Sequence, residues 1–131
     1  MNDLEAMLDQ GGYDYTLDED GNFVVSLVFD DDRCQRVALK TTSAGGTGPQ
    51  LWRISSIACD DVAVLKDGVL RSCLKNSHKH ALGAWELRDA ELCFCVKTVA
   101  DYQETSLRHF VNYVGAVADE FERKYLKADI N

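Results

Sequence analysis

The chain has 131 residues, 46% of them hydrophobic, and 22 acidic against 14 basic side chains give a formal charge of −8. One domain covering residues 1–131 is expected at this length, with enough apolar material for a core. The acidity argues against a nucleic-acid binder with a basic footprint, and no run of about 18 apolar residues is present to span a bilayer.

Residues 3–10 read as a short helix: Asp3 is placed to cap it, Leu4, Met7 and Leu8 share one face, and Gly11 and Gly12 end it. A helix this short is unstable alone, so it must dock on apolar surface. Residues 13–17 alternate with period two, as a half-buried strand does. Asp18-Glu19-Asp20-Gly21-Asn22 is a turn, and residues 23–29 form the next strand, with Phe23, Val25, Leu27 and Phe29 on one face. Asp30-Asp31-Asp32-Arg33 makes a second turn before a strand over residues 34–40, where Gln35, Val37 and Leu39 share a face. Such short polar links make antiparallel hairpins the natural reading. Residues 43–50 hold three glycines and the only proline, and form a loop into a fourth strand over residues 51–58.

Asp60 or Asp61 caps a second helix running to about Lys75, with Val62, Leu65, Val69 and Cys73 on its apolar face and Leu70 and Leu74 widening it. Gly68 weakens that helix by about 1 kcal/mol relative to alanine. After a connection over residues 76–83, residues 84–88 and 92–100 form a hairpin around Asp89-Ala90-Glu91. Asp101 caps the last helix, and Glu104 stands in the capping-box position. Leu107, Phe110, Val111, Val114, Val117, Phe121 and Tyr125 make its stripe, which ends near Leu126. The fold class is therefore α+β: an antiparallel sheet with packed helices, in the order α-β-β-β(β)-α-β-β-α.

This order, helix, strand meander, helix, hairpin, helix, resembles the YbjN-type family of bacterial sensory transduction regulators, which share the fold of type III secretion chaperones. The matching features are the opening helix followed by Gly12-Tyr13-Asp14 and the acidic turn at Asp18-Glu19-Asp20-Gly21. They include the helix that ends in Leu74-Lys75-Asn76 before Ala84-Trp85-Glu86-Leu87, and the last strand before a final helix with Phe110 inside. The resemblance covers essentially the whole chain and rests on element order and polar turns. The loop at residues 43–50 and the connection Ser77-His78-Lys79-His80 depart from the pattern. The resemblance implies a homodimer, no enzymatic activity, and an extended protein client.

Each chemical motif has a structural rival. Asp18-Glu19-Asp20-Gly21-Asn22 looks like a calcium loop, yet the glycine register puts Thr16 and Leu27 where calcium needs carboxylates, so a hairpin turn is preferred. Gly45-Gly46-Thr47-Gly48-Pro49 looks like a phosphate cradle but lacks Gly-Lys-Ser/Thr and leads into a strand. Cys93 and Cys95, two apart in one strand, and His78 and His80 make a candidate zinc or thiol site, against which stands ordinary packing of buried cysteines. The five cysteines form no CxxC pair, and reduced thiols are expected. Arg71, Lys75 and Lys79 recur along one helix face, either as a basic strip for an acidic partner or as a solvated face.

The acid is unevenly placed, with ten Asp/Glu and three Lys/Arg in residues 1–50. Acidic turns explain this; the rival is an end that attracts a basic partner. The N-terminal Met1-Asn2-Asp3-Leu4-Glu5 lacks the regions of a signal peptide, so the expected compartment is the cytoplasm.

The expected function is a non-enzymatic protein-interaction module that binds a protein or peptide as a homodimer. No cofactor, no metal, no nucleic acid and no membrane partner is expected. The alternatives are the metal or thiol site at Cys93, Cys95, His78 and His80, and, within the same class, a dedicated type III secretion chaperone. The hairpin and second helix are expected at the dimer or partner interface, through Leu70, Leu74, Trp85, Leu87, Phe94 and Cys95.

Overall fold

The computed structural model describes residues 3–29, 33–43, 45–46, 48–100 and 103–126. The elements run α1 (Asp3–Gln10), β1 (Tyr15–Leu17), β2 (Phe23–Val28), β3 (Cys34–Ser43), β4 (Gln50–Cys59), α2 (Val69–Lys75), β5 (Ala84–Arg88), β6 (Glu91–Val99) and α3 (Glu104–Tyr125). The six strands form one antiparallel sheet in the order β1-β2-β3-β4-β6-β5. The chain is thus α+β with an antiparallel sheet. Among the described residues no helix is long and apolar enough to cross a membrane.

Strand alternation sends every second side chain to one face, and on that face the core forms. Phe23 and Val25 of β2, Val37 and Leu39 of β3, Trp52 and Ile54 of β4 and Phe94 and Val96 of β6 are buried there. They meet Leu107, Val111 and Val114 of α3 and Leu4, Met7 and Leu8 of α1 in the same cluster. A second cluster gathers Ala58, Cys59, Leu92, Ala118 and Phe121, with Val69, Leu70 and Cys73 of α2 packed on it. All three helices therefore lie on one side of the sheet. Each fully buried Val, Leu or Phe in this layer stabilises by about 1.5–3 kcal/mol.

Local chemistry sets the element ends. After α1 the Gly11, Gly12 and Tyr13 amides donate to Met7, Asp9 and Leu8 carbonyls, with Gly12 at φ +73°. Asp18 closes its own turn: Oδ1 accepts from the Asp20 and Asn22 amides, and Oδ2 from Asn22 Nδ2. Those donors, the Asn22 side chain first, hold its carboxyl below the usual range. The hairpin-turn reading of this acidic stretch accounts for these contacts without a cation. α3 comes close to β2 and β3 because residue 115 is glycine; a Cβ there would stand 2.5 Å from Leu27 Cδ1 and 3.3 Å from Val37 Cγ2.

The expected second helix is broken. A single 3-10 turn covers Val62–Val64, Leu65 is extended, and α2 begins only after Gly68. Asp61 caps the first piece, accepting from the Ala63 amide at 3.0 Å. Gly68 sits at φ +86°, a conformation no helix interior contains, so the chain turns there and starts again. β3 reaches Ser43 and β4 starts at Gln50, which shortens the expected glycine-rich loop. The N-cap position of α3 is held by Gln103 rather than Asp101. Asp101 and the side chains of Asp3 and Glu104 lie outside the described residues.

One ionic network ties the C-terminal half of α3 to the start of β3. Arg33 Nε lies 2.9 Å from Asp119 Oδ1, Arg33 Nη2 3.4 Å from Glu122 Oε2, and Arg123 Nε 2.6 Å from Asp119 Oδ2. Beside it Gln35 Nε2 donates to Ser56 Oγ at 2.7 Å and to the Ile57 carbonyl at 3.0 Å, inside the layer.

Candidate functional site

Two surfaces carry the chemistry singled out in the sequence. The first is a cavity of about 330 Å³ between α2, β5 and the last turns of α3. Its wall is aromatic: the Trp85 and Phe121 rings lie 5.1 Å apart and Phe121 and Tyr125 4.8 Å apart. Cys73 lines it from α2, and burial pushes that thiol up to about 12. His80 stands at the rim with its ring against Phe94 and Trp85.

Of the six expected interface residues, Trp85 lines this cavity, and Leu70, Leu74 and Leu87 belong to α2 and β5, the elements that bound it. Leu70 and Trp85 are half-buried in the second core cluster, whereas Leu74 and Leu87 are 37% and 46% exposed. Leu74 continues the α2 surface next to Cys73, and Leu87 follows Trp85 along the edge strand β5. The other two are elsewhere. Phe94 is fully buried under α3, in ring contact with Tyr113, Trp85 and His80, so it belongs to this chain's own core. Cys95, its neighbour in β6, points to the opposite face of the sheet.

That opposite face is the second surface, and among the described residues no helix covers it. Cys93 and Cys95 are nonetheless buried. Part of their cover is one ion pair. Arg53 shares a register row with Lys97, and Glu86 shares a row with Cys93, so the Arg53–Glu86 bridge crosses the intervening row of Ser55, Cys95 and Ala84. Arg53 Nη1 also donates to Ser55 Oγ at 2.9 Å. Burial under this strap pushes the Cys95 thiol up to about 11 and raises that of Cys93. Both cysteines are therefore neutral thiols at neutral pH, which is the inert state.

The four residues of the metal or thiol reading are not brought together. His80 packs on the Phe94 ring on the helix side, while Cys93 and Cys95 face the other way across the sheet. His78 is exposed, with Nδ1 3.1 Å from the Lys75 carbonyl. Among the described residues no group of three His, Cys, Asp or Glu side chains is placed to hold a metal ion. The Gly45–Gly48 segment closes on itself, with the Gly48 amide donating to the Gly45 carbonyl, and leads into β4. Arg71, Lys75 and Lys79 are exposed.

The Arg53–Glu86 strap and the Arg33–Asp119 network escape sequence reading, because each joins residues tens of positions apart. The visible signal was only that Arg53 and Lys97 stand at alternate positions of strands otherwise rich in small and apolar side chains. Comparison with known proteins returns nothing: no family model, no curated protein and no solved structure matches this chain.

Proposed function

We propose that the chain is a non-enzymatic protein-interaction module, chaperone-like or regulatory, that acts in the cytoplasm as a homodimer. The observation that carries this reading is the apolar surface around the α2–β5–α3 cavity. Tyr125 in its wall, Leu74 of α2 and Leu87 of β5 are each more than a third exposed. Exposed apolar side chains on the elements that bound one aromatic cavity are what a protein interface supplies. β5 is an edge strand, guarded at Trp85, whose amide donates to Ser77 Oγ at 2.7 Å, and an edge that is only partly guarded can still recruit a partner strand. A two-fold pairing across β5 and α2 would cover both features at once. The same element order underlies the resemblance to YbjN-type regulators and type III secretion chaperones, and the reading takes the fold as chaperone-like on that ground. A dedicated secretion chaperone differs from a general regulator only in its client, which a pull-down from native extract identifies.

Light scattering at micromolar concentration tests the assembly. A mass near twice the 14.6 kDa of one chain is expected, and Leu87→Asp, at a position already exposed in the single chain, should return it to 14.6 kDa. A wild-type protein that stays at 14.6 kDa sinks the dimer.

A further inference from the structure

The uncovered face of the sheet is basic although the chain is acidic. Strand alternation puts Arg36, Lys40, Arg53, Arg88 and Lys97 on it. Among the described strand residues only Glu86 and Glu91 oppose them there. Five positive and two negative charges make +3, so the formal −8 of the whole chain leaves −11 for everything else.

The charge is also concentrated. Lys40 pairs with Arg53, and Arg53 with Lys97, so three cations stand side by side across β3, β4 and β6. With strands about 4.8 Å apart, the row spans roughly 10 Å. Like charges directly opposite one another destabilise a sheet. Glu86 offsets part of this, bridging Arg53 and lying 3.7 Å from Lys97, while Lys40 and Lys97 remain exposed. One register row away, Ala38, Ser55, Cys95 and Ala84 line up across four strands. That row lies under the Arg53–Glu86 bridge, which leaves the exposed Lys40 and Lys97 ammonium groups as the cations a partner meets first.

The face also tells against two other occupants. Single-stranded nucleic acid on a sheet needs aromatic rings to stack its bases. The rings of Tyr15, Phe23, Trp52, Trp85 and Phe94 are all on the helix side. A second copy laid face to face would set the cation row against itself, and like-charge juxtaposition suppresses that pairing.

Resting on the interaction-module reading, we propose that this face docks an acidic segment of a different protein, with its carboxylates on the row of Lys40, Arg53 and Lys97. The segment's charge adds to that of Glu86, the one carboxylate that already faces the row. Affinity for such a segment falls with added salt.

The test titrates the full chain against short fluorescein-labelled poly-L-glutamate, with oligo(dT) of equal length in parallel. Lys40→Glu/Lys97→Glu should weaken polyglutamate binding by about tenfold or more, whereas the charge-matched Arg71→Glu/Lys75→Glu on α2 should leave it within about twofold. Equal losses in the two variants, tighter binding of oligo(dT), or no binding by the wild type would each overturn the proposal. If the Glu pair does not fold, Lys40→Gln/Lys97→Gln replaces it, and wild-type affinity in that variant overturns the proposal as well. A dimer that ignores polyglutamate removes this docking face and leaves the interaction module standing. A monomer that binds polyglutamate removes the dimer and leaves the face.

Discussion

Phe94 and Phe121 are the same residue in two different enclosures, and truncating each should give different losses. Phe94 is fully buried between sheet and α3, with rings at 4.9 Å (His80), 5.2 Å (Trp85) and 5.7 Å (Tyr113). Removing its ring leaves a void that the rigid sheet beneath cannot fill. Phe→Ala at enclosed sites costs about 3–5 kcal/mol, and Phe94→Ala belongs at the upper end. Phe121 is 5% exposed and loses two ring contacts, but it forms a wall of the 330 Å³ cavity that already opens to solvent. There the new space joins existing solvent-accessible space, and nearby Tyr125 can relax into it. Phe121→Ala should therefore cost about 3 kcal/mol, some 1–2 kcal/mol less than Phe94→Ala. Urea denaturation with linear extrapolation measures both, provided the slopes match the wild type. Equal losses, or the larger loss at Phe121, would refute the claim that openness of the cavity decides the cost. The buried position of Phe94 also means that a charge placed there reports on folding, which is why Leu87 is the better probe of assembly.

Asp119 is buried between two arginines, so Asp119→Ala should remove the carboxylate that Arg33 and Arg123 share, leave Arg33 (12% exposed) to the longer 3.4 Å contact with Glu122, and cost about 2–3 kcal/mol. Arg123→Ala, at a side chain 42% exposed, should cost less than about 1 kcal/mol; an Asp119 loss that small in the same urea assay would mean the network is ornamental. Thiol labelling at pH 8 should modify Cys34 rapidly in the native protein and all five cysteines only after denaturation; fast native labelling of Cys95 would contradict the strap. Folding raises the Cys73 and Cys95 thiols above the 9.0 of the unfolded chain, so their stabilising share is whole below pH 9 and is lost as pH rises through about 11 and 12. Stability measured from pH 8 to 12 should fall, and Cys73→Ala should flatten that fall; a curve unchanged by the substitution would reject the assignment.

Much of the architecture is legible in the residues themselves. Period-two alternation at Phe23, Val25 and Leu27 and the 3.6-period stripe of Leu107, Val111, Val114 and Phe121 define strands, helix and buried faces, because periodicity depends only on local backbone geometry. The interruption of the second helix was half legible: Gly68 marked the weak point, but only its left-handed backbone shows that the chain breaks there. What the sequence could not hold is register and sidedness. Alternation places Lys40, Arg53 and Lys97 on one face each, yet their contact across β3, β4 and β6 follows from strand order and pairing, which are long-range properties. Cys93, Cys95, His78 and His80 looked close along the chain, and the sheet separates the cysteines from His80 because adjacent strand positions point to opposite sides. The tertiary structure alone decided that all three helices cover one face, since a buried strand reads the same whether a helix or an ion pair covers it.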